Sequence, residues 1–412
     1  MNSNQTNTNS INEVVYALGD KGLDEQLICR HLRPLFTRSL KNSQGKIYLA
    51  NHSLGRALDQ TAFDIQEGLG VWYTNVENAW DDWFQEITAF RQRVAILINA
   101  PRADCIAPRA SAGQGLRTIL NSYDSPLRVL TSGDEFNSID HILKVYDWHH
   151  RIQLKRVIPK NDRFYQSEDF YRAIQEKPEL LVLSMVMFTT GQLLSALPDL
   201  IKLAHDNGVR VLIDLYHATG VIPLNVMEMD IDFAIGGSYK YLRGGPGASW
   251  LYLHPRYLDD MLETLDTGWF SQPEPFDFIR SESPQLAHGG NRFFESTPAI
   301  LPFYQARAGL MFTLAIGVDR LRCYSVKQQK AIERLLQTKG IPFLGQSEER
   351  GAFIAIPHPQ AEFIAKSLIS AGVICDAREE LLRFCPDILN TQDEFISAVD
   401  KLAEIWNRMG AD

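Results

Sequence analysis

Cysteine is scarce in this chain, with 5 residues among 412. An odd number without close spacing argues against a disulfide framework and favours reduced thiols in a cytosolic compartment. The sequence also lacks any paired metal-ligand spacing, so we expect no metal site. No segment reaches the roughly 20 apolar residues of a membrane span, and the N-terminus lacks the basic and apolar regions of a signal peptide. The sequence therefore predicts a soluble, cytoplasmic protein that does not bind membranes.

Basic residues are fewer than acidic ones. The chain has 41 Lys and Arg against 50 Asp and Glu, which gives a net charge of -9. Without a block of basic residues, nucleic acid and anionic membranes are poor candidates as main partners. The composition, 45% hydrophobic and 22% charged, is that of an average soluble globular protein. A length of 412 residues is too great for one ordinary core, so we expect a large domain and a smaller one.

Short apolar runs alternate with helical stretches between about residues 100 and 250. This alternation is typical of an α/β fold with a mostly parallel, doubly wound sheet covered by helices. Two of the strand patterns end near residues that can do chemistry, Asp214 and Lys240. Successive parallel strands would bring both side chains to the same edge of the sheet, where such folds keep their ligand crevice.

Lys240 belongs to the stretch Ser238-Tyr-Lys-Tyr-Leu-Arg-Gly-Gly-Pro-Gly247. A lone lysine after a strand is more often a surface residue, but these glycines let the backbone turn sharply close to a bound group. An amine in a partly desolvated, electropositive crevice loses its proton more readily and can attack a carbonyl. Lys240 is therefore the candidate nucleophile. A carboxylate such as Asp214 can keep a pyridine nitrogen protonated, which makes pyridoxal 5'-phosphate (PLP) an electron sink.

These residues resemble those of the PLP-dependent class V aminotransferase superfamily, of fold type I, and most closely its kynureninase branch. The resemblance extends from about Asn51 to the C-terminus. It implies a PLP enzyme that acts on an α-amino acid, with Lys240 and Asp214 as catalytic residues. The motifs that carry it, in the family's order, are Thr190-Gly-Gln192, Asp214-Leu-Tyr-His217, Ser238 to Gly247 and Gly268-Trp-Phe270.

The resemblance also implies further cofactor contacts. Phe136 takes the place of the aromatic ring that stacks on PLP. Kynureninases usually carry an aspartate shortly after this ring, whereas this chain has Ile139 at that position and Asp140 next to it. Thr190 and Gln192 would reach the cofactor's hydroxyl side or cap the following segment. The other expected contacts are Ala112 and Gly113 at a helix start facing the phosphate, His217 near the ring, and Tyr239 and Thr297 at the phosphate.

Two residues are expected to contact the substrate. Ser53 lies in Asn51-His-Ser-Leu-Gly55, which is similar to a turn at the active-site mouth of kynureninases, although a plain turn closed by glycine explains the same pattern. Arg383 lies in a stretch similar to the family's carboxylate-binding segment, and its planar guanidinium suits an α-carboxylate. Arg378 is expected to form a structural ion pair instead.

One segment departs from the kynureninase pattern. Phe294 and Thr297 stand where that branch carries an arginine and an asparagine, and the segment is closer to the general class V motif, whose threonine touches the partner subunit's phosphate. The resemblance thus implies a homodimer with shared active sites. It leaves Cβ–Cγ hydrolysis, transamination and elimination open. Cysteine desulfurase chemistry needs a mobile thiolate, but Cys375 and Cys385 lie in apolar strand patterns and are interpreted as structural.

The alternative to an enzyme is a PLP-binding protein that has kept the fold and lost its activity. We favour an enzyme because the lysine, the aspartate, the stacking aromatic and the carboxylate-binding arginine all occur together. The expected organisation has four parts. These are a disordered polar tail (1–15), an N-terminal segment packing with the small domain (16–75), a large PLP-binding domain (76–300) and a small C-terminal domain (301–412).

Overall fold

The computed structural model describes residues 8–19, 21–41, 43, 45–124, 126–160, 163–260 and 262–409. Its α-helices are α1 (Thr8–Leu18), α2 (Glu25–Leu27), α3 (Thr37–Lys41), α4 (Gln60–Thr74), α5 (Ala79–Ile98), α6 (Ala112–Leu120), α7 (Asn137–Trp148), α8 (Ser167–Gln175), α9 (Leu197–Asp206), α10 (Pro255–Asp259), α11 (Leu301–Ile316), α12 (Val318–Thr338), α13 (Ala361–Ser370) and α14 (Gln392–Met409). Its strands are β1 (Ile47–Tyr48), β2 (Ile106–Arg109), β3 (Leu127–Ser132), β4 (Ile152–Val157), β5 (Leu180–Ser184), β6 (Arg210–Asp214), β7 (Phe233–Gly237), β8 (Ser249–Leu253), β9 (Ile354–Pro357), β10 (Val373–Ile374), β11 (Asp376–Arg378) and β12 (Leu381–Phe384).

Seven strands form the central sheet in the order β2, β8, β7, β6, β5, β3, β4. Strands β3 to β7 run parallel to one another, and β8 is antiparallel to both β7 and β2. Every residue of β5, β7 and β8 is buried, as expected for strands covered on both faces. Apolar residues of the helices from α5 to α9 share one core with these strands. The predicted α/β fold with a mostly parallel sheet is therefore confirmed.

The register of the strands aligns the ends that carry the candidate residues. Asp214, the last residue of β6, lies opposite Ser184, the last residue of β5. Gly237 ends β7 opposite Ser249, which in turn lies opposite Arg109 at the end of β2. The segments that follow β2, β6 and β7 therefore all leave the sheet at one edge, because the strands before them end in register.

A smaller antiparallel sheet in the C-terminal part has the order β11, β12, β9. Its apolar residues share a second core with α12, α13 and α14. Strand β1 pairs in parallel with β10, with Ile47 opposite Val373, so this part of the N-terminal segment packs with the C-terminal part. The domain boundaries after residues 75 and 300 stay predictions. Among the described residues, no helix is long and apolar enough to cross a membrane.

Helix α1 corrects the predicted disorder of residues 1–15. Residues 8–15 are helical, while residues 1–7 lie outside the described residues. Ile11 and Leu18 are buried in one cluster with Phe312 of α11. Apolar side chains at helical spacing thus provide the burial that the polar composition of the first ten residues lacks. The prediction was wrong for residues 8–15, because their burial depends on a helix about 300 residues further along the chain.

Candidate active site

Lys240 follows β7 and is only 5% exposed. Its Nζ lies 5.1 Å from the centre of the Tyr216 ring, 5.3 Å from that of Phe136 and 5.7 Å from that of Tyr239. Burial disfavours the ammonium form and lowers the pKa of Lys240 to about 7, although the Asp214 carboxylate opposes this shift. A large fraction of the amine is therefore neutral near pH 7, as a nucleophile requires.

Asp214 ends β6 and is buried. Its Oδ1 accepts a hydrogen bond from the backbone N–H of Tyr216 at 2.8 Å. Burial raises the pKa of Asp214 to about 6, while this hydrogen bond and the charge of Lys240 act in the opposite direction. Asp214 and Lys240, the catalytic residues that the resemblance implies, thus lie close enough at one edge of the sheet for the charge of each to shift the pKa of the other.

A narrow cavity lies between these side chains. The ring of His217 forms part of its wall, and neither of its nitrogens has a hydrogen-bond partner among the described residues. Burial and the nearby Lys240 charge hold the pKa of His217 well below its usual range, so the ring is neutral. Buried polar atoms without partners are rare and costly, so they indicate a ligand in this space. The lining residues are Phe136, Ser184, Val186, Phe188, Asp214, Tyr216, His217 and Lys240.

The side chains of this cavity fit PLP. Phe136 offers an aromatic face for a planar ring, Asp214 a carboxylate for a pyridine nitrogen, and Lys240 a neutral amine for an aldehyde. The rings of Tyr216 and Tyr239 lie 5.0 Å apart beside the lysine.

Ala112 and Gly113 form the first turn of α6, directly after β2. Ser111 caps this helix by accepting a hydrogen bond from the N–H of Gln114 at 3.2 Å. Helix α6 lies close to β7 because Gly115 has no side chain, and a Cβ there would come within 2.7 Å of Ile235. The helix N-terminus is thereby held at the same edge of the sheet as Lys240, where its free N–H groups suit a phosphate.

Glu135 is a buried carboxyl group beside the cavity that the sequence analysis did not identify. Its Oε1 accepts hydrogen bonds from Ser132 Oγ at 2.7 Å and from the N–H of Ser184 at 3.2 Å, and its Oε2 accepts one from Ser184 Oγ at 2.6 Å. Burial raises the pKa of Glu135 to about 7. These bonds join the end of β3 to the end of β5 and hold the segment that carries Phe136. An acid directly before the predicted stacking ring was the available signal.

Arg383 lies in β12 and is 1% exposed. Its Nε and Nη2 donate to the two carboxylate oxygens of Asp376 at 2.9 and 2.6 Å, and its Nη1 donates to the Phe188 carbonyl at 2.8 Å. A guanidinium has five N–H groups, so each terminal nitrogen keeps one for a ligand carboxylate. Phe188 also lines the Lys240 cavity, so its hydrogen bond with Arg383 places the guanidinium next to that cavity. Arg378 is exposed and forms its expected ion pair, with Asp376 at 3.3 Å.

His52 lies in the turn predicted to form the active-site mouth. Its Nε2 lies 2.9 Å from Oδ1 of Asp376, and its ring centre lies 6.5 Å from that of His217. Burial lowers the pKa of His52 to about 4, which leaves the ring neutral near pH 7. Ser53, the predicted substrate contact, is exposed, and its N–H donates to the Ala50 carbonyl at 2.8 Å. The structure thus brings the neighbour of Ser53, not Ser53 itself, into contact with the Arg383 network.

Thr297 lies in another part of the surface. It lines a second, wider cleft, together with Arg109 and Gln114. Arg109 is buried, and its Nε lies 4.0 Å from Oε1 of Glu295. A single chain therefore does not bring Thr297 to the wall of the Lys240 cavity, and its predicted contact with a phosphate depends on a second subunit.

Three other residues near the motifs, Ile139, Asp140 and Gln192, make contacts that stabilise the fold. Ile139 is fully buried in the core, and Asp140 pairs with Lys144 and, at 3.3 Å, with Arg156. Neither lines the Lys240 cavity. Gln192 binds the backbone of Tyr165, accepting from its N–H at 2.8 Å and donating to its carbonyl at 2.7 Å. Neither Thr190 nor Gln192 lines the Lys240 cavity, and their predicted contact with the cofactor stays a prediction.

The two cysteines near Arg383 are both buried. Burial raises the pKa of Cys375 to about 12 and raises that of Cys385 further, so both remain thiols. The Sγ of Cys385 donates to the Ala352 carbonyl at 3.3 Å. Their interpretation as structural residues agrees with this burial.

Comparison with known proteins matches residues 47–377 to the aminotransferase class-V family. The chain is 27% identical to the kynureninase of Geobacillus thermodenitrificans (strain NG80-2), with 93% of this chain and 91% of that protein covered. It is 28% identical to the uncharacterized aminotransferase YcbU of Bacillus subtilis (strain 168), over 86% of this chain and 95% of that protein. The solved complex of the cystine C-S lyase C-DES with its product cysteine persulfide shares the fold, with a TM-score of 0.79 at 20% identity over 88% of this chain and 99% of that one. The chain therefore belongs to the PLP-dependent class V aminotransferase superfamily.

Proposed function

We propose that this protein uses PLP at Lys240 to cleave the Cβ–Cγ bond of an α-amino acid with water, as kynureninases do. The observation that supports PLP chemistry most directly is the position of Lys240, whose pKa is lowered to about 7 beside Asp214 and Phe136. Similarity to a kynureninase over nine-tenths of both chains supports the choice of reaction.

Each residue of the site has a task in this proposal. When bound, PLP supplies an electron-withdrawing ring that stabilises negative charge at the substrate's α-carbon. Asp214 keeps a proton on the pyridine nitrogen, and Phe136 covers one face of the ring. Lys240 takes the α-proton as a general base and returns it as a general acid. Arg383 binds the α-carboxylate through the two N–H groups that Asp376 and Phe188 leave free.

Transamination is the second candidate reaction. Phe294 and Thr297 stand where kynureninases carry an arginine and an asparagine, so two polar groups expected for an aromatic γ-keto substrate are replaced. The similarity to an aminotransferase over 95% of its length points the same way. Elimination with a cysteine nucleophile has less support, because Cys375 and Cys385 are buried thiols with raised pKa values.

A second subunit is part of the proposal. Thr297 lines a cleft separate from the Lys240 cavity, so it would serve as a phosphate ligand for the partner's site. The nearby connection also exposes apolar side chains, with Leu265, Phe278 and Ile279 each at least 65% exposed. A homodimer would cover such a surface. We expect sedimentation velocity to show a dimer.

Subunit mixing tests whether the sites are shared. Lys240→Ala and Thr297→Asp should each be inactive alone, the second because its carboxylate repels the phosphate. If Thr297 serves the partner's site, a mixed dimer has one intact site, and mixing should restore activity. No restoration from subunits that exchange would reject the shared site.

The covalent site can be tested without knowing the substrate. Borohydride treatment of the PLP-loaded protein should fix the cofactor to the peptide that contains Lys240, detected by mass spectrometry. Lys240→Ala should lose both this label and the yellow colour. Lys202→Ala, at an exposed lysine that pairs with Asp206 at 2.8 Å, should keep both. A protein that remains colourless with added PLP would contradict the proposed function.

A substrate panel separates the reaction types. The loaded protein is incubated with kynurenine, 3-hydroxykynurenine, cysteine, or alanine with a keto acid. An anthranilate product supports Cβ–Cγ hydrolysis, a new amino acid supports transamination, and sulfide supports elimination. Turnover of another substrate without anthranilate would reassign the reaction while leaving the Lys240 chemistry intact.

A further inference from the structure

His52 carries a hydrogen-bond acceptor that no described residue satisfies. Its Nε2 lies 2.9 Å from Oδ1 of Asp376, and because an ionised carboxylate only accepts hydrogen bonds, this nitrogen carries the ring hydrogen. The lone pair of the neutral ring is therefore on Nδ1. That nitrogen is buried and has no partner within the described part of the chain. A ligand that donates a hydrogen bond to Nδ1 would remove this cost of desolvation.

The position of His52 relates this acceptor to the substrate. Asp376 joins His52 to Arg383, the proposed α-carboxylate site. The ring of His52 is also near the Lys240 cavity, because its centre lies 6.5 Å from that of His217, which lines this cavity. His52 therefore lies next to two groups of the site, the aspartate that holds Arg383 and the histidine in the wall of the Lys240 cavity.

We propose that His52 is a specificity-determining residue, whose Nδ1 selects amino acids with a hydroxyl, thiol or N–H donor on the side chain. This inference rests on the proposed function, and it adds a substrate class, polar and donor-bearing in preference to aliphatic. The lowered pKa of His52, about 4, supports it because the ring then stays neutral and keeps its acceptor across the neutral pH range.

Two substitutions separate the roles of the two ring nitrogens. In His52→Gln, the side-chain amide nitrogen reaches the position of Nε2 and can still donate to Asp376, but no acceptor remains at Nδ1. In His52→Asn, the shorter amide has its oxygen near Nδ1, and the bond to Asp376 is lost. The first variant removes the proposed selectivity and keeps the network of Arg383, while the second does the reverse.

The test uses the PLP-loaded full-length protein and follows the cofactor's absorbance during titration with amino acids. Serine against alanine, and homoserine against 2-aminobutyrate, form two pairs of similar length that differ in one hydroxyl. In at least one pair, we expect the wild type to bind the hydroxyl member about tenfold more tightly. His52→Gln should lose this preference and bind the aliphatic member within about twofold of wild type. His52→Asn should keep the preference and bind both members more weakly.

Several outcomes would overturn the inference. One is a wild type that binds both members of each pair equally well. Another is a His52→Gln variant that binds both members of a pair more weakly by the same factor, which would mean that a buried water or the fold uses Nδ1. A loaded protein that responds to none of the four amino acids would also overturn it. Failure of the PLP chemistry on which the inference rests is distinguishable, because the borohydride label at Lys240 is then absent before any titration. If His52→Gln unfolds in a thermal melt, His52→Asn decides, since loss of its preference would contradict the acceptor role.

Discussion

Asp376 binds Arg383 through both carboxylate oxygens, at 2.9 Å from Nε and 2.6 Å from Nη2. Burial alone would raise the pKa of Asp376, but the hydrogen bonds from His52 and Arg383 outweigh it and hold the pKa well below its usual range. Asp376 is therefore ionised at every pH at which the protein would work. A bidentate pair of this kind fixes the plane of the guanidinium and directs its remaining N–H groups.

Asp376→Asn should weaken substrate binding more than it slows turnover. Asparagine replaces one of the two acceptor oxygens by an NH2 group, which opposes an N–H of Arg383, so the guanidinium loses its fixed plane. We expect KM to rise about tenfold or more, with a smaller change in kcat. Arg378→Ala is the matched control, since this exposed arginine contacts the same carboxylate at 3.3 Å, and it should change KM less than about twofold. Equal effects of the two substitutions would contradict an orienting role for Asp376.

The rate of PLP uptake by the cofactor-free protein should reflect the lowered pKa of Lys240. With a pKa of about 7, the neutral amine increases with pH below 7 and is nearly complete at pH 8, so the rate should level off there. Asp214→Asn removes a charge that raises this pKa, so its curve should shift to lower pH. Stopped-flow absorbance measures the rate, and Nα-acetyl-lysine corrects for the titration of PLP itself. A rate that still rises through pH 9 would mean an ordinary lysine.

Gly237→Ala should displace Tyr216, because a Cβ at this position would come within 2.1 Å of the Tyr216 hydroxyl. Overpacking typically costs about 1–3 kcal/mol, so we expect a lower thermal midpoint, together with weaker PLP binding because Tyr216 lies beside Lys240. Gly70→Ala is the control. It lies within α4 with nothing within 4 Å of an added Cβ, and alanine there should raise stability by up to about 1 kcal/mol. Equal melting of both variants would refute the steric argument.

Glu135→Gln should change how stability depends on pH. The pKa of Glu135 is raised from 4.5 in the unfolded chain to about 7 by burial, so the folded state holds a proton that the unfolded state releases between these values. Stability contributed by the protonated acid is present at low pH and is lost as pH rises through this window, by up to about 3 kcal/mol.

The expected result is similar thermal midpoints for wild type and Glu135→Gln near pH 5 and a more stable glutamine variant near pH 8. Glutamine can keep the hydrogen bonds with Ser132 and Ser184, while Glu135→Ala loses them and should be less stable at every pH. A constant difference between wild type and the glutamine variant from pH 5 to 8 would show that Glu135 is not titrating.

Much of the site could be predicted from local sequence because its residues follow buried strands. Asp214 ends β6 and Lys240 follows β7, and apolar strand patterns with polar ends are recognisable within a few residues. Phe136 and the start of α6 follow strands that end at the same edge. Once a parallel sheet is inferred, the meeting of these ends follows from its geometry.

The residues that sequence reasoning missed are held by partners far along the chain. His52 and Asp376 are 324 positions apart, and Glu135 and Ser184 are 49 apart. No local pattern marks such pairs, since their energy depends on burial that exists only after the strands have packed. The helical state of residues 8–15 likewise depends on contacts with α11.

The amino-acid sequence by itself determined the α/β class and the lysine and aspartate at the strand ends, because strand patterns and strand-end motifs are local properties. The PLP chemistry followed from the resemblance of these motifs to those of the class V superfamily. Only the tertiary structure decided that Asp376 already occupies one edge of Arg383. It also decided that His52, bonded to the same Asp376, has an acceptor nitrogen without a partner in the described part of the chain. These features arise from desolvation and long-range pairing, which a linear sequence does not display.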